Sequence, residues 1–164
     1  MADKKETEKF LRRAMAICAG SEKCISEIES KLLQWGLDQS DRIKIIERLV
    51  KEKFIDEERF AVAYVQDKFR HNKWGRIKIS SMLRSKGLQE DVIRKGLDAL
   101  DEDFYTETLK KLVASRKRQV KAKSNFELRG KLIRFAVSRG FETDLVYDAV
   151  NELPEDDPCL PDEP

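Results

Sequence analysis

The sequence predicts an all-α fold of tandem three-helix repeats: three repeats, about nine helices, forming an elongated curved rod. Three observations carry this. The four prolines, Pro154, Pro158, Pro161 and Pro164, all lie at the end of the 164 residues, so residues 1–153 lack the residue that breaks helix interiors. Gly36, Gly87 and Gly140 recur at spacings of 51 and 53 residues, the strongest sign of an internal repeat. Apolar residues keep the same offsets around each glycine. Ile28, Ile79 and Leu132 lie eight before, Leu32, Leu83 and Ala136 four before, Leu37, Leu88 and Phe141 one after, and Ile46, Leu97 and Val150 ten after.

Each glycine therefore ends one amphipathic helix and precedes another. A helix commonly stops with a residue in the left-handed conformation, which glycine adopts without a Cβ penalty. The apolar residue after it can fold back on the last turn. Asp38 or Ser40, Gln89 or Glu90, and Thr143 then offer N-caps for the following helix. A longer helix precedes each pair, over about residues 5–19, 56–72 (capped by Asp56) and 103–123, from apolar residues at three- and four-residue spacing. Phe60, Tyr64 and Phe69 mark the second. Leu109, Leu112 and Val113 mark the third, which becomes a solvated basic helix beyond Ser115. The expected partition is 1–55, 56–102 and 103–153 for the repeats, with 154–164 a disordered acidic, proline-rich tail. Units of this size bury little alone, so neighbouring repeats should stack and stiffen one another.

The formal net charge of +2 hides strong segregation. Residues 68–95 carry net +7, residues 110–139 net +10 with Glu127 as the sole carboxylate, and residues 140–164 net −9. Such asymmetry points to a polyanionic partner for the middle of the chain. The first basic patch runs from Lys68 to Arg76 and interleaves cations with aromatics, with Arg84 and Lys86 one helix later. The second is Arg116–Lys123, followed by Arg129, Lys131, Arg134 and Arg139. Cations on phosphates give affinity without sequence reading. Solvated helix faces are the plainer reading, but the charges stand in blocks rather than mixed pairs. Trp74 could stack on a base or a partner side chain, or plug the junction between repeats, and the second is preferred. Trp35 is expected in the core. His71 is expected to cap the C-terminal end of its helix, where a cation is favoured.

Catalysis finds little support. The sequence has no phosphate loop, nucleophile elbow or metalloprotease motif, and with one histidine a histidine metal cluster is impossible. No catalytic residue, cofactor, metal or small-molecule substrate is expected. Cys18, Cys24 and Cys159 have no metal-like spacing, and free buried thiols in a reducing cytosol explain them. No apolar run approaches the roughly 18 residues of a membrane helix. The charged start of the chain is not followed by a signal-like core. A cytoplasmic protein without a membrane partner is expected.

The block from Asp56 to Leu100 resembles the most characteristic stretch of the bacterial RecX regulatory proteins. There an Asp-x-x-Arg-Phe-Ala helix precedes an arginine-rich turn with glycine, then Ile-x-x-x-Leu-x-x-Lys-Gly-Leu. Here those elements are Asp56, Arg59, Phe60, Ala61, Arg70, Gly75, Ile79, Leu83, Lys86, Gly87 and Leu88. The resemblance spans about residues 5–153, more loosely in the first and third repeats. It departs at Lys73-Trp74-Gly75, where a bulky tryptophan enters the usual Lys/Arg-Gly, and in the acidic tail. It implies an all-helical modulator of the RecA recombinase that lies in the groove of the RecA–DNA filament, bridges protomers, and restrains filament growth, ATP hydrolysis, strand exchange and coprotease action in DNA repair and the SOS response. The expected contacts, from charge and repeat position, are Arg70, Lys73, Trp74, Arg76, Arg84 and Lys86 in the middle repeat, and Arg116, Lys117, Arg118, Lys121 and Arg129 in the third. The anion they meet is DNA phosphate, an acidic groove of the recombinase, or both. The competing function is a stand-alone helical-repeat nucleic-acid-binding protein.

Overall fold

The computed structural model describes residues 3–154, and among these nine helices follow one another without a strand. They are α1 (Lys4–Gly20), α2 (Ile25–Gln34), α3 (Gln39–Lys51), α4 (Glu57–Asn72), α5 (Arg76–Ser85), α6 (Glu90–Leu97), α7 (Glu102–Lys117), α8 (Asn125–Ser138) and α9 (Thr143–Asn151). Helix-on-helix packing falls mainly within consecutive triplets, α1–α3, α4–α6 and α7–α9. No helix among the described residues is long and apolar enough to cross a membrane.

The three repeat glycines sit where the sequence puts them, with φ of 85°, 85° and 93°. At each, the glycine N–H bonds the carbonyl three residues back (Leu33, Arg84, Val137). The next N–H bonds the carbonyl five back: Leu37 to Leu32 at 3.2 Å, Leu88 to Leu83 at 3.2 Å, Phe141 to Ala136 at 3.3 Å. This pairing satisfies carbonyls that a helix end leaves without partners. Leu37, Leu88 and Phe141 are accordingly buried. Lys53 and Lys73 take the same left-handed position after α3 and α4, with φ of 62° and 55°, although nothing in a lysine predicts it.

Two boundaries differ from expectation. The third long helix ends at Lys117, not 123. Its next turn would line up like charges, and Ser124 is held as the N-cap of α8, accepting from the Glu127 N–H at 3.1 Å. Thr143 is the first residue of α9 rather than its cap. Glu142 takes the N-cap position, and its carboxylate turns to Tyr105. Asp38 and Asp56 do cap their helices through their carboxylates.

The cores are unequal. Triplet one closes its own core around Leu11, Ala14, Ile28, Leu32, Ile45 and Leu49. Triplets two and three share a single larger one, from Phe60, Val65 and Phe69 through Ile79 and Leu83 to Tyr105, Leu109, Leu132 and Phe141. Cys24 is buried in that second core, while Cys18 stays in the first; both thiols are free, and burial pushes both above the ordinary thiol value. Cys159 and the acidic tail beyond Pro154 lie outside the described residues.

Candidate polyanion-binding surface

In the middle triplet most of the expected contact cations are engaged within the protein. Arg76 pairs with Glu102, lies 3.7 Å from Glu142, and holds its guanidinium 3.9 Å above the Tyr105 ring. Its backbone N–H donates to the Tyr105 hydroxyl at 3.1 Å, and that hydroxyl donates to the Glu142 carboxylate at 3.0 Å. Burial drives the Tyr105 phenol far above its ordinary pKa, so it remains a donor. Arg76 is thus a structural element of the joint between triplets two and three. Arg84 is held by the Glu90 carboxylate at both its Nε and Nη2, which keeps Glu90 below the usual carboxylate range. Lys86 reaches back to Glu27 on α2 at 3.6 Å.

Trp74 packs half-buried against the larger core, with Lys78 4.6 Å and Lys68 5.4 Å from its ring. Trp35 is half-buried on the first core, stacked on Phe10 and covered by Arg13. His71 is exposed in the last turn of α4, 3.7 Å from Asp67. Arg70 and Lys73 are exposed and have no carboxylate partner among the described residues.

Triplet three presents its cations differently. Two guanidinium groups lie over the Phe135 ring, that of Arg116 at 4.7 Å and that of Arg139 at 5.3 Å from its centroid. Beside it is an open groove of about 530 Å³ whose charged lining is Arg116, Lys121, Lys131 and Arg134, with no carboxylate. Glu127, the one acid of this stretch, is occupied. It accepts from the Lys123 N–H at 2.9 Å and pairs with Lys131 at 3.1 Å, contacts that lower its pKa. Lys131 also donates to the Lys121 carbonyl at 2.9 Å, which ties the 118–124 loop to α8. Across that loop, a second depression of about 620 Å³ is lined by Lys117, Arg118 and Lys123 together with Leu128, Leu153 and Pro154. Lys117 donates to the Pro154 carbonyl at 2.6 Å, and Arg129 donates to Asn151 at 2.5 Å. Of the expected third-repeat residues, Arg116 and Lys121 share the first groove, Lys117 and Arg118 the second, and Arg129 faces α9.

One residue joins the two basic regions. Arg139 donates to the Asn72 carbonyl at 3.0 Å, beside Lys73, and its guanidinium lies over Phe135. A line of cations therefore runs from the end of α4 across the joint to the groove of α7 and α8. Charge counting places Arg139 only as a trailing cation and passes over Phe135. The signal available was their i,i+4 spacing, which puts an aromatic ring and a cation together on one helix face.

Comparison with known proteins accords with this architecture. The family model for the second three-helix domain of RecX matches residues 56–97, and that for the third matches residues 102–150. Among curated relatives, the regulatory protein RecX of Clostridium tetani is 28% identical over 142 residues, covering 85% of this chain and 65% of the relative. RecX of Chlorobaculum tepidum is 28% identical over 148 residues, covering 90% of each. The chain spans between 53% and 65% of the length of the first of these relatives. The crystal structure of RecX from Lactobacillus salivarius superposes with a TM-score of 0.81 at 18% identity, over 90% of this chain and 96% of that one. With two successive domain models matched in order and the helix triplets they describe both present, the chain belongs to the RecX family of regulatory proteins.

Proposed function

We propose that this chain is a cytoplasmic regulator of the RecA recombinase that docks on the RecA–DNA filament and restrains it, rather than a catalyst. The observation that carries the reading is the cation line from Lys73 through Arg139 to the Arg116–Arg134 groove, on a chain whose family is regulatory. The filament is a polyanion along its DNA. A rod of repeats laid in its groove meets more than one protomer. Each contact is weak, but tethering raises the effective concentration of the next. Bridged protomers then resist subunit addition and the motion coupled to ATP hydrolysis.

ATP hydrolysis by RecA on single-stranded DNA, with this protein added below the RecA concentration, tests the reading. Inhibition is expected at amounts too small to occupy the DNA, and Arg70→Glu with Lys73→Glu should weaken it. Inhibition that merely follows the fraction of DNA covered would overturn this reading and favour a stand-alone nucleic-acid-binding protein.

A further inference from the structure

The larger depression of triplet three lies where the chain leaves the described residues. Pro154 lines it beside Leu128 and Leu153, its charged lining is Lys117, Arg118 and Lys123, and none of its described lining residues is acidic. Ser124 and Asn125 line it too, so the positive end of α8 opens on it. Residues 155–164 come next in the chain, with five carboxylates, no cation and one large apolar side chain, Leu160.

The last described residues already run along α7. Glu152, the C-cap of α9, pairs with Lys110 at 2.8 Å, and two residues later the Pro154 carbonyl accepts from Lys117 at 2.6 Å. Lys110 and Lys117 stand two turns apart on α7, about 10 Å along its axis. Chain and helix thus progress together towards the C-terminal end of α7, where Arg118 and the 118–124 loop begin. Carboxylates placed after Pro154 meet cations in that direction, whereas α9 behind them carries none. A tether this short gives an effective concentration on the order of millimolar, which a separate acidic peptide would have to match.

We propose that residues 155–164 occupy this depression, as an acidic segment of the chain docked on its own third triplet. Glu155, Asp156 and Asp157 pair with Arg118 and Lys123, and Leu160 settles against Leu128 and Leu153. The docked segment covers Lys117 and Arg118, which the regulatory reading turns to the filament, and so competes with the partner for them. That consequence rests on the regulatory reading, whereas the docking itself does not.

Cys159 lets the docking be measured in the whole chain, since it lies within about 17 Å of Pro154 even when fully extended. Ala122→Cys puts a second thiol in the 118–124 loop, on the lining of the depression, while Cys18 and Cys24 stay buried. Equilibrating this variant in a glutathione redox buffer, and mapping the 122–159 disulfide by mass spectrometry, gives the effective concentration of Cys159 at the depression. Glu155→Gln, Asp156→Asn and Asp157→Asn together, all outside the described residues, should lower that value about tenfold at about 50 mM salt, the sum of three exposed ion pairs. At about 500 mM salt the charged and neutralised chains should agree within about twofold. Lys44→Cys on α3 should form no intrachain disulfide. The neutralised chain, with no cysteine added, should restrain ATP hydrolysis by RecA at several-fold lower concentration. Equal effective concentrations in the charged and neutralised chains at low salt, a disulfide formed mainly between chains, or equal trapping at position 44 would each overturn the docking. Restraint of RecA unchanged by neutralisation would overturn the competition for Lys117 and Arg118. Charge-dependent trapping in a chain that does not restrain RecA at all would overturn only the regulatory reading.

Discussion

The two joints between triplets are built from the same repeat and hold by different forces. Between triplets one and two the contacts are side-chain polar: Arg59 to Glu22 at 2.6 Å, Lys86 to Glu27 at 3.6 Å, and the Ile25 N–H to Glu57 at 3.4 Å, with Cys24 as the buried insertion. Between triplets two and three the backbones themselves bond. The Gly75 N–H donates to the Arg139 carbonyl at 2.8 Å, and the Ile77 N–H to the Gly140 carbonyl at 2.9 Å. The free N–H groups that open α5 thereby satisfy carbonyls at the end of α8, each removing the other's unmet bonds. Phe69, Tyr105 and Phe141 pack ring against ring through the same place, the first pair stacked and the second tilted, with centroids 5.3 Å apart at each step. Apart from the buried Cys24, the first joint is held by polar contacts whose ion pairs are partly exposed, contribute little and are screened by salt. The other is part of a core.

The contrast is broken most forcefully at Gly140. A Cβ there would fall 2.3 Å from the Lys78 Cβ and 2.6 Å from its backbone nitrogen, in a left-handed conformation as well. Gly36 has the same conformation but open space around it. Gly36→Ala should therefore cost about 1 kcal/mol, and Gly140→Ala about 3 kcal/mol, strain and overpacking together. Urea denaturation of the two variants measures the difference. Equal losses would mean that close approach at the second joint does not hold it.

Tyr105→Phe is next. It removes the acceptor of the part-buried Arg76 N–H and the hydroxyl donor to Glu142, at about 2 kcal/mol. Hydrogen exchange should show the loss in α4–α9 and leave α1–α3 protected. Uniform loss would argue that the two cores unfold as one.

At the first joint effects should be small and salt-dependent. Arg59→Ala removes the pair with Glu22 and a bond to the Lys53 carbonyl, so the melting temperature should fall slightly in low salt, with the Glu22 contribution fading in high salt. A loss matching that of Tyr105→Phe would erase the distinction between joints.

The smallest expected effect is a pH dependence at Glu57. Burial raises its carboxyl above the ordinary 4.5 against the smaller pull of the Ile25 N–H. The folded chain then keeps this proton to higher pH than the unfolded chain. Its contribution to stability is full below the unfolded pKa and is lost as pH rises through the folded one. Glu57→Gln should therefore gain on the parent as pH rises from 4.5, seen in melting curves. A parent that gains instead would show that the Ile25 N–H dominates.

Much of the fold is legible because it is local. Gly36, Gly87 and Gly140 announce helix ends through backbone geometry that few other residues adopt cheaply, and Asp38 and Asp56 announce helix starts. Lys53 and Lys73 escape notice for the same reason, since lysine carries no conformational mark. Thr143 misleads because Glu142 is drawn to a tyrosine 37 residues away. The candidate surface is legible as charge but not as geometry. Arg76 and Arg134 look alike in sequence, and only their neighbours, Glu102 and Glu142 beside one and a groove whose lining holds no carboxylate beside the other, separate a joint from a groove.

By itself, the sequence determined the helix succession, the threefold period and the segregation of charge, since helix periodicity, caps and left-handed stops depend on residues within a turn or two of one another. Only the tertiary structure decided that two triplets share one core, which cations remain available, and that Arg139 joins them into a line. Those outcomes depend on contacts such as Gly75 with Arg139 and Arg139 with Asn72, whose partners stand more than 60 residues apart and leave no mark on the local pattern.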